Sequence, residues 1–125
     1  MKDAAEYLDQ VKALIVMNHQ VVHWTAAREE AQRDAGLFRY KLILRDGSVI
    51  EMFEKFRIMQ DAVKVTKYSF HWQDGTGRLR MRWDNAPHHP EVTTHPDHVH
   101  AGSETNVMPH DPVTVEEILT IIATQ

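Results

Sequence analysis

The fold is decided by the stretch KVTKYSFHWQDGTGRLRMRW, which occupies residues 64–83. Apolar and polar side chains alternate on both sides of Asp74-Gly75-Thr76-Gly77, a combination of residues that is typical of a tight turn. The apolar set comprises Tyr68, Phe70, Trp72, Leu79, Met81 and Trp83. Because successive side chains of a strand point to opposite faces, this pattern predicts an antiparallel hairpin with one apolar and one polar face.

A loop made of residues 74–77 would fix the register of this hairpin by placing Gln73 opposite Arg78. The expected apolar pairs are Trp72 with Leu79, Phe70 with Met81, and Tyr68 with Trp83. On the polar face, His71 would lie opposite Arg80 and Ser69 opposite Arg82. We therefore expect a phosphate-binding group beside His71, made of Arg80, Arg82 and Lys67.

A second hairpin is predicted on the N-terminal side of the first. Strand-like residues 37–44 and 49–56 flank Asp46-Gly47, which is the strongest signal for a two-residue hairpin turn. In this hairpin Glu54 would lie roughly opposite Arg39, which predicts a cross-strand ion pair. Residues 21–33 are ambiguous, because strand formers in the first half give way to helix formers in the second.

Two helices are predicted at the ends of the chain. Apolar residues recur every three or four positions between Ala4 and Ile15, and Asp3 with Glu6 has the spacing of a capping box. Near the C-terminus, Thr114 and Glu117 repeat that spacing before a second apolar stripe. We place these helices at residues 1–18 and 114–123.

Together these elements predict an α+β fold within a single domain of 125 residues. An N-terminal helix precedes an antiparallel sheet of about five strands in meander order at residues 20–85. A Pro/His-rich loop at residues 86–113 holds all five prolines, and the C-terminal helix follows. No apolar run is long enough to span a bilayer and no signal peptide is visible, so we expect a cytoplasmic protein without a membrane segment. The absence of cysteine excludes disulfides and thiolate metal sites, and the sequence leaves open whether the chain forms a homo-oligomer.

Charge is distributed unevenly along the chain. Residues 28–82 hold twelve Lys and Arg against eight acids, whereas residues 83–125 hold seven acids and no Lys or Arg. The overall charge of −4 argues against general nucleic-acid binding, but the basic middle permits a local anion site.

Histidines and arginines in the last two strands and the loop are the candidates for catalysis. Histidine exchanges protons near neutral pH, and arginine binds phosphate with a bidentate fork. In phosphodiester cleavage one histidine would deprotonate a ribose 2′-hydroxyl, a second would protonate the leaving oxygen, and an arginine would stabilise the phosphate. The candidate catalytic residues are His71, Arg82, Asp84, His88, His89, His98 and His100.

Two other uses of the loop histidines remain open. His98 and His100 could bind zinc together with His88 or His89 and with Asp84 or Asp97. Their spacing matches no standard zinc motif, so we expect a mechanism without a metal cofactor. Alternatively, the histidines could serve only to hydrogen-bond the backbone of a long loop or to contact a partner.

The segment RWDNAPHHP at residues 82–90, followed by His98-Val99-His100, resembles the TumE family of prokaryotic toxin–antitoxin system toxins. Residues 24–30, the Asp46-Gly47-Ser48 turn with Glu54, and residues 68–73 also look like this family. The last motif usually carries lysine between its histidines, so Val99 removes one cation from the candidate site. The resemblance also implies that residues 21–32 form a strand paired with residues 37–44.

Membership of such a family would imply a toxin that inhibits growth and is neutralised by a cognate antitoxin protein. The leading hypothesis is an RNA-cleaving or translation-blocking protein with RNA or the ribosome as its target. As an enzyme it would be a metal-independent ribonuclease. The alternative is a non-catalytic interaction module whose His-rich loop binds a metal or a protein partner.

Overall fold

A computed structural model describes residues 1–124 and shows an α+β fold. Two helices pack on one face of a seven-stranded antiparallel sheet, in which every strand pairs with the next one along the chain. The meander order is therefore confirmed, but the sheet has seven strands instead of about five. The elements are α1 (Ala4–Met17), β1 (Val21–Gln32), β2 (Ala35–Leu44), β3 (Val49–Met59), β4 (Ala62–Gln73), β5 (Leu79–Asp84), β6 (His98–Ala101), β7 (Val107–Pro109) and α2 (Val115–Ala123).

Both helices begin where the capping patterns predict. The Asp3 carboxylate accepts a hydrogen bond from the backbone N–H of Glu6 at the start of α1. Thr114 and Glu117 form a reciprocal capping box at the start of α2. Such caps satisfy backbone donors that have no partner within the first helical turn.

Residues 21–32 form a strand, which resolves the ambiguity of this segment. β1 pairs with β2 along its length, with two bulges, and most of its side chains are exposed. Helix formers such as Ala26 and Ala27 therefore adopt the extended conformation because pairing with β2 outweighs their intrinsic preference.

The predicted register of the β4–β5 hairpin is wrong by two residues. Asp74 closes the turn by bonding Arg78, and its carboxylate also accepts hydrogen bonds from the backbone of Thr76 and Arg78. Gln73 then lies opposite Leu79, and a bulge at Arg80 places Trp72 opposite Met81. The observed pairs are Phe70 with Trp83, His71 with Arg82, and Ser69 with Asp84. A shift of two residues keeps every side chain on its expected face.

The apolar face of the sheet packs against both helices. Its core side chains include Phe38, Tyr40, Ile50, Phe70 and Trp83, all of which are buried. Leu8, Val11 and Ile15 of α1 and Ile118, Leu119 and Ile122 of α2 belong to the same core. We call the opposite face, which carries His71 and Arg82, the outer face.

The segment predicted as an irregular loop contains two further strands. In β6, His98 lies opposite Asp84 and His100 lies opposite Arg82, whereas Val99 faces the apolar core beside Trp83. β7 pairs with β6 and ends the sheet. An irregular segment, residues 85–97, connects β5 to β6. No helix in the described part of the chain is long and apolar enough to cross a membrane.

Candidate functional site

Two neighbouring rows of side chains cross the outer face from β3 to β6. One row runs from Glu51 through His71 and Arg82 to His100, one residue from each of four adjacent strands. The next row contains Phe53, Ser69, Asp84 and His98. The sheet therefore brings together five of the seven predicted catalytic residues, although they span thirty positions of the sequence.

Asp84 is the centre of a buried cluster that it forms with Arg82, His98 and His100. One carboxylate oxygen, Oδ1, lies 3.0 Å from His98 Nε2 and accepts a hydrogen bond from the backbone N–H of Ala86 at 3.0 Å. The other, Oδ2, accepts a hydrogen bond from Arg82 Nε at 3.1 Å and lies 3.7 Å from His100 Nε2. Asp84 is buried, so its negative charge depends on these partners in place of water.

Arg82 connects the buried cluster to the surface. Its Nη1 donates to Glu104 Oε1 at 2.7 Å, and its Nη2 lies 3.2 Å from His100 Nε2. The Arg82 side chain is a quarter exposed, whereas the side chains of His98 and His100 are almost fully covered. The guanidinium is thus the part of the cluster that reaches solvent.

Backbone carbonyl groups orient both buried histidines. His98 Nδ1 lies 2.8 Å from the Pro96 carbonyl oxygen, and His100 Nδ1 lies 2.9 Å from that of Glu104. A carbonyl oxygen only accepts hydrogen bonds, so each Nδ1 carries a hydrogen and each Nε2 faces the cluster. The two Nε2 atoms are 3.1 Å apart, which is within hydrogen-bond distance.

The surroundings of His100 favour its neutral form. Burial lowers the pKa of His100, and the nearby Arg82 and His98 act in the same direction. The Glu104 carbonyl and Asp84 oppose this shift, but burial is the largest influence.

Of the two adjacent loop histidines, His89 joins the cluster and His88 does not. The His89 ring lies 4.9 Å from that of His98 and 5.4 Å from that of His100, measured between ring centroids. His88 is exposed on the loop. Of the two loop histidines that the sequence offers beside His98 and His100, the structure brings His89 to them, and the candidate ligand atoms of these three residues lie within 4.8 Å of one another.

The outer face is open beside the cluster. A shallow cavity of about 290 Å³ is lined there by Arg39, Val49, Glu51, Ser69, His71, Gln73 and Arg82. The Arg39 guanidinium lies 4.7 Å and the Lys67 ammonium 5.9 Å from the centre of the Phe53 ring, on the same face. These cations and His71 form a polar surface that an anionic ligand could reach.

Arg80 is not part of this surface. Its guanidinium donates to Asp46 Oδ2 at 3.1 Å and lies 5.1 Å from the Trp72 ring centre. The bulge at Arg80 turns it toward the Asp46 turn, so the predicted phosphate-binding group keeps Arg82 and Lys67 on the outer face and loses Arg80.

The chain was compared with models of known protein families, and one of them matches the region that contains the cluster. The family model described as Toxin TumE matches residues 10–125. This chain belongs to the TumE toxin family. No curated protein and no solved structure matches it. The TumE match includes every residue of the cluster, and a toxin family of this kind implies a cognate antitoxin.

A second ionisable site in this TumE protein lies on the apolar face and was not expected. The predicted ion pair of Glu54 with Arg39 is wrong, because Arg39 lies opposite Phe53 and Glu54 points into the core beneath α1. Tyr7 Oη donates to Glu54 Oε1 at 2.5 Å. Burial raises the pKa of Glu54 to about 7, although the Tyr7 hydrogen bond acts in the opposite direction.

Glu54 and Tyr7 border a cavity of about 520 Å³. The hydroxyl of Tyr68, also in its lining, donates to Asp97 Oδ1 at 2.7 Å. One sequence signal could have revealed the burial of Glu54. Glu54 continues the series of every second residue that contains Ile50, Met52 and Phe56, so it occupies a core position of β3.

Proposed function

We propose that this TumE protein inhibits growth by cleaving RNA on its outer face, with His71 as general base. The observation that carries the proposal is the position of His71 directly opposite Arg82 in one open cavity that Arg39 also lines. Directly opposed residues in a sheet have Cβ atoms about 5 Å apart, which suits two groups acting on one phosphate and its neighbouring hydroxyl.

In this mechanism His71 accepts the proton of a ribose 2′-hydroxyl while the oxygen attacks the adjacent phosphorus. The bond from phosphorus to the 5′ oxygen breaks, leaving a 2′,3′-cyclic phosphate. Arg82 and Arg39 stabilise the extra negative charge on the phosphate oxygens. Protonation of the leaving oxygen is assigned to the loop imidazole of His88, because this side chain is exposed.

His98 and His100 have a positioning role in this proposal. Their side chains are only 1% and 3% exposed, so a substrate on the outer face would not touch them. Instead, Asp84 holds the Arg82 guanidinium from behind while Glu104 holds it from the solvent side. Both histidines lie against the Asp84 carboxylate. A fixed guanidinium loses less entropy when it binds phosphate.

Changing His71 to glutamine should reduce RNA cleavage by roughly a hundredfold or more, the usual contribution of a general base. The change should hardly alter stability, because His71 is only half-buried. Toxicity on expression without the antitoxin, and sequencing of the RNA ends, provide the measurements. His19→Gln is the matched control, since His19 is an exposed histidine beyond the end of α1.

Cells that express His71→Gln should keep growing, and new 5′ RNA ends should disappear, whereas His19→Gln should remain toxic. If His71→Gln were folded and still produced the wild-type RNA ends, the proposed role of His71 would be wrong. Toxicity without new RNA ends for the wild-type chain would exclude RNA cleavage and leave a translation-blocking or interaction role.

We further propose that the cognate antitoxin carries a basic surface. Exposed acids of the C-terminal third have no Lys or Arg from that third to balance them. These acids are Glu91, Glu104, Asp111, Glu116 and Glu117. Opposite charges accelerate association, and salt screens them.

Accordingly, the association rate with the antitoxin should fall about tenfold or more between low and high salt. Stopped-flow mixing at several ionic strengths measures this rate. Asp111→Lys and Glu116→Lys should slow association at low salt, whereas the control Glu30→Lys on β1 should not. An association rate independent of salt would contradict the proposed basic surface.

A further inference from the structure

All three imidazoles of the cluster have one ring nitrogen held by an oxygen. His98 Nδ1 and His100 Nδ1 contact the Pro96 and Glu104 carbonyl oxygens. His89 Nδ1 lies 2.9 Å from the Glu91 carboxylate. Histidines that bind metals are held in this way, because the oxygen fixes the tautomer and leaves Nε2 free to donate its lone pair.

We propose that His89, His98 and His100 bind one zinc ion through their Nε2 atoms, with the Asp84 carboxylate as fourth ligand. The ligand-capable atoms of the histidines lie within 4.8 Å of one another without any rearrangement of the chain. The Nε2 atoms of His98 and His100 are 3.1 Å apart, and Asp84 Oδ1 is 3.0 Å from His98 Nε2. Ligands of a tetrahedral zinc ion are about 3.4 Å apart, so small side-chain movements complete the geometry.

The chemistry of the donor set selects the class of metal. Imidazole nitrogens with a carboxylate favour zinc and its first-row neighbours over magnesium or calcium, which prefer oxygen ligands. Charge also favours a cation, because Asp84, Glu91 and Glu104 outnumber the single guanidinium of Arg82. The contact of Arg82 with His100 would be released, while its bonds to Asp84 and Glu104 could persist.

Zinc at this position would have a structural consequence. His89 belongs to the irregular segment between β5 and β6, whereas His98 and His100 belong to β6. A common metal ion would therefore fix that segment onto the sheet beside Arg82. Metal ligation of this kind contributes directly to folding free energy.

Zinc binding is tested on the full chain, purified without a histidine tag and freed of metal by a chelator. Calorimetric titration with zinc chloride alone should show one ion bound per chain. Thermal unfolding should show a higher melting temperature for the zinc-loaded protein. His89→Gln removes one ligand and should weaken binding by roughly a hundredfold or more, and Glu91→Gln by about tenfold. His88→Gln, one residue away and exposed, should bind zinc as the wild type does.

Cobalt provides a second readout that does not depend on stability. The Co²⁺-loaded protein should show the visible absorption of a tetrahedral site, and His89→Gln should change that spectrum while His88→Gln leaves it intact. The proposal fails if zinc does not bind stoichiometrically, or if His89→Gln binds zinc as tightly as the wild type does. No RNA is present in either measurement, so the outcome is independent of the proposed cleavage activity.

Discussion

Replacing Glu54 by glutamine should stabilise the protein by about 3 kcal/mol at pH 8 and leave its stability at pH 4 nearly unchanged. Glu54 is buried beneath α1, and burial raises its pKa from the usual 4.5 to about 7. Between pH 4.5 and about pH 7, Glu54 keeps its proton in the folded state and releases it in the unfolded state. The wild-type stability due to Glu54 is therefore complete below pH 4.5 and is lost as the pH rises to 7.

Glutamine has the same shape as protonated glutamate and can still accept the hydrogen bond from Tyr7. Urea unfolding at pH 4, 6 and 8 measures the difference, and the gap between variant and wild type should widen at each step. Glu51→Gln on the exposed outer face of the same strand is the control, because solvent already screens that carboxylate. A gap that stays constant with pH would show that Glu54 ionises equally in the folded and unfolded states.

The regular part of the fold was predictable because its signals are local. Alternation over residues 64–83 defines two strands, and the spacings Asp3–Glu6 and Thr114–Glu117 define helix starts through contacts within a single turn. The position of Arg80 depends on how the Asp74 turn closes. That closure involves backbone bonds and a positive φ at Gly77, which polarity patterns do not encode.

The sequence indicates which residue types could form a site, but not how they are arranged. His98 and His100 flank the apolar Val99, so a strand with both histidines on one face is readable from three residues. Their partner Asp84 is determined by β5–β6 pairing across a loop of thirteen residues, which no local rule specifies. The choice of His89 over His88 likewise depends on an irregular backbone without periodicity.

Removing the carboxylate of Asp84 should cause the largest loss of stability in the site. In metal-free protein, Asp84→Ala should lower the free energy of unfolding by about 3 kcal/mol, because the buried His98 imidazole loses its carboxylate and Arg82 keeps only Glu104 as an ionic partner. Arg82 would lose its bond at 3.1 Å, His98 its contact at 3.0 Å, and the Ala86 backbone N–H its acceptor. Each unsatisfied donor adds a desolvation cost that water cannot repay inside the sheet.

Urea unfolding in the presence of a chelator measures this loss without any contribution from bound metal. Glu30→Ala is the control, since its ion pair with Arg28 is shorter than the contacts of Asp84, at 2.6 Å, but both side chains are more than half exposed. Exposed pairs contribute about 0–1 kcal/mol, so the two losses should differ by several fold. Equal losses would mean that water enters the cluster and that Asp84 does not hold Arg82 and the histidines together, which would also remove the basis for a preformed site on the outer face.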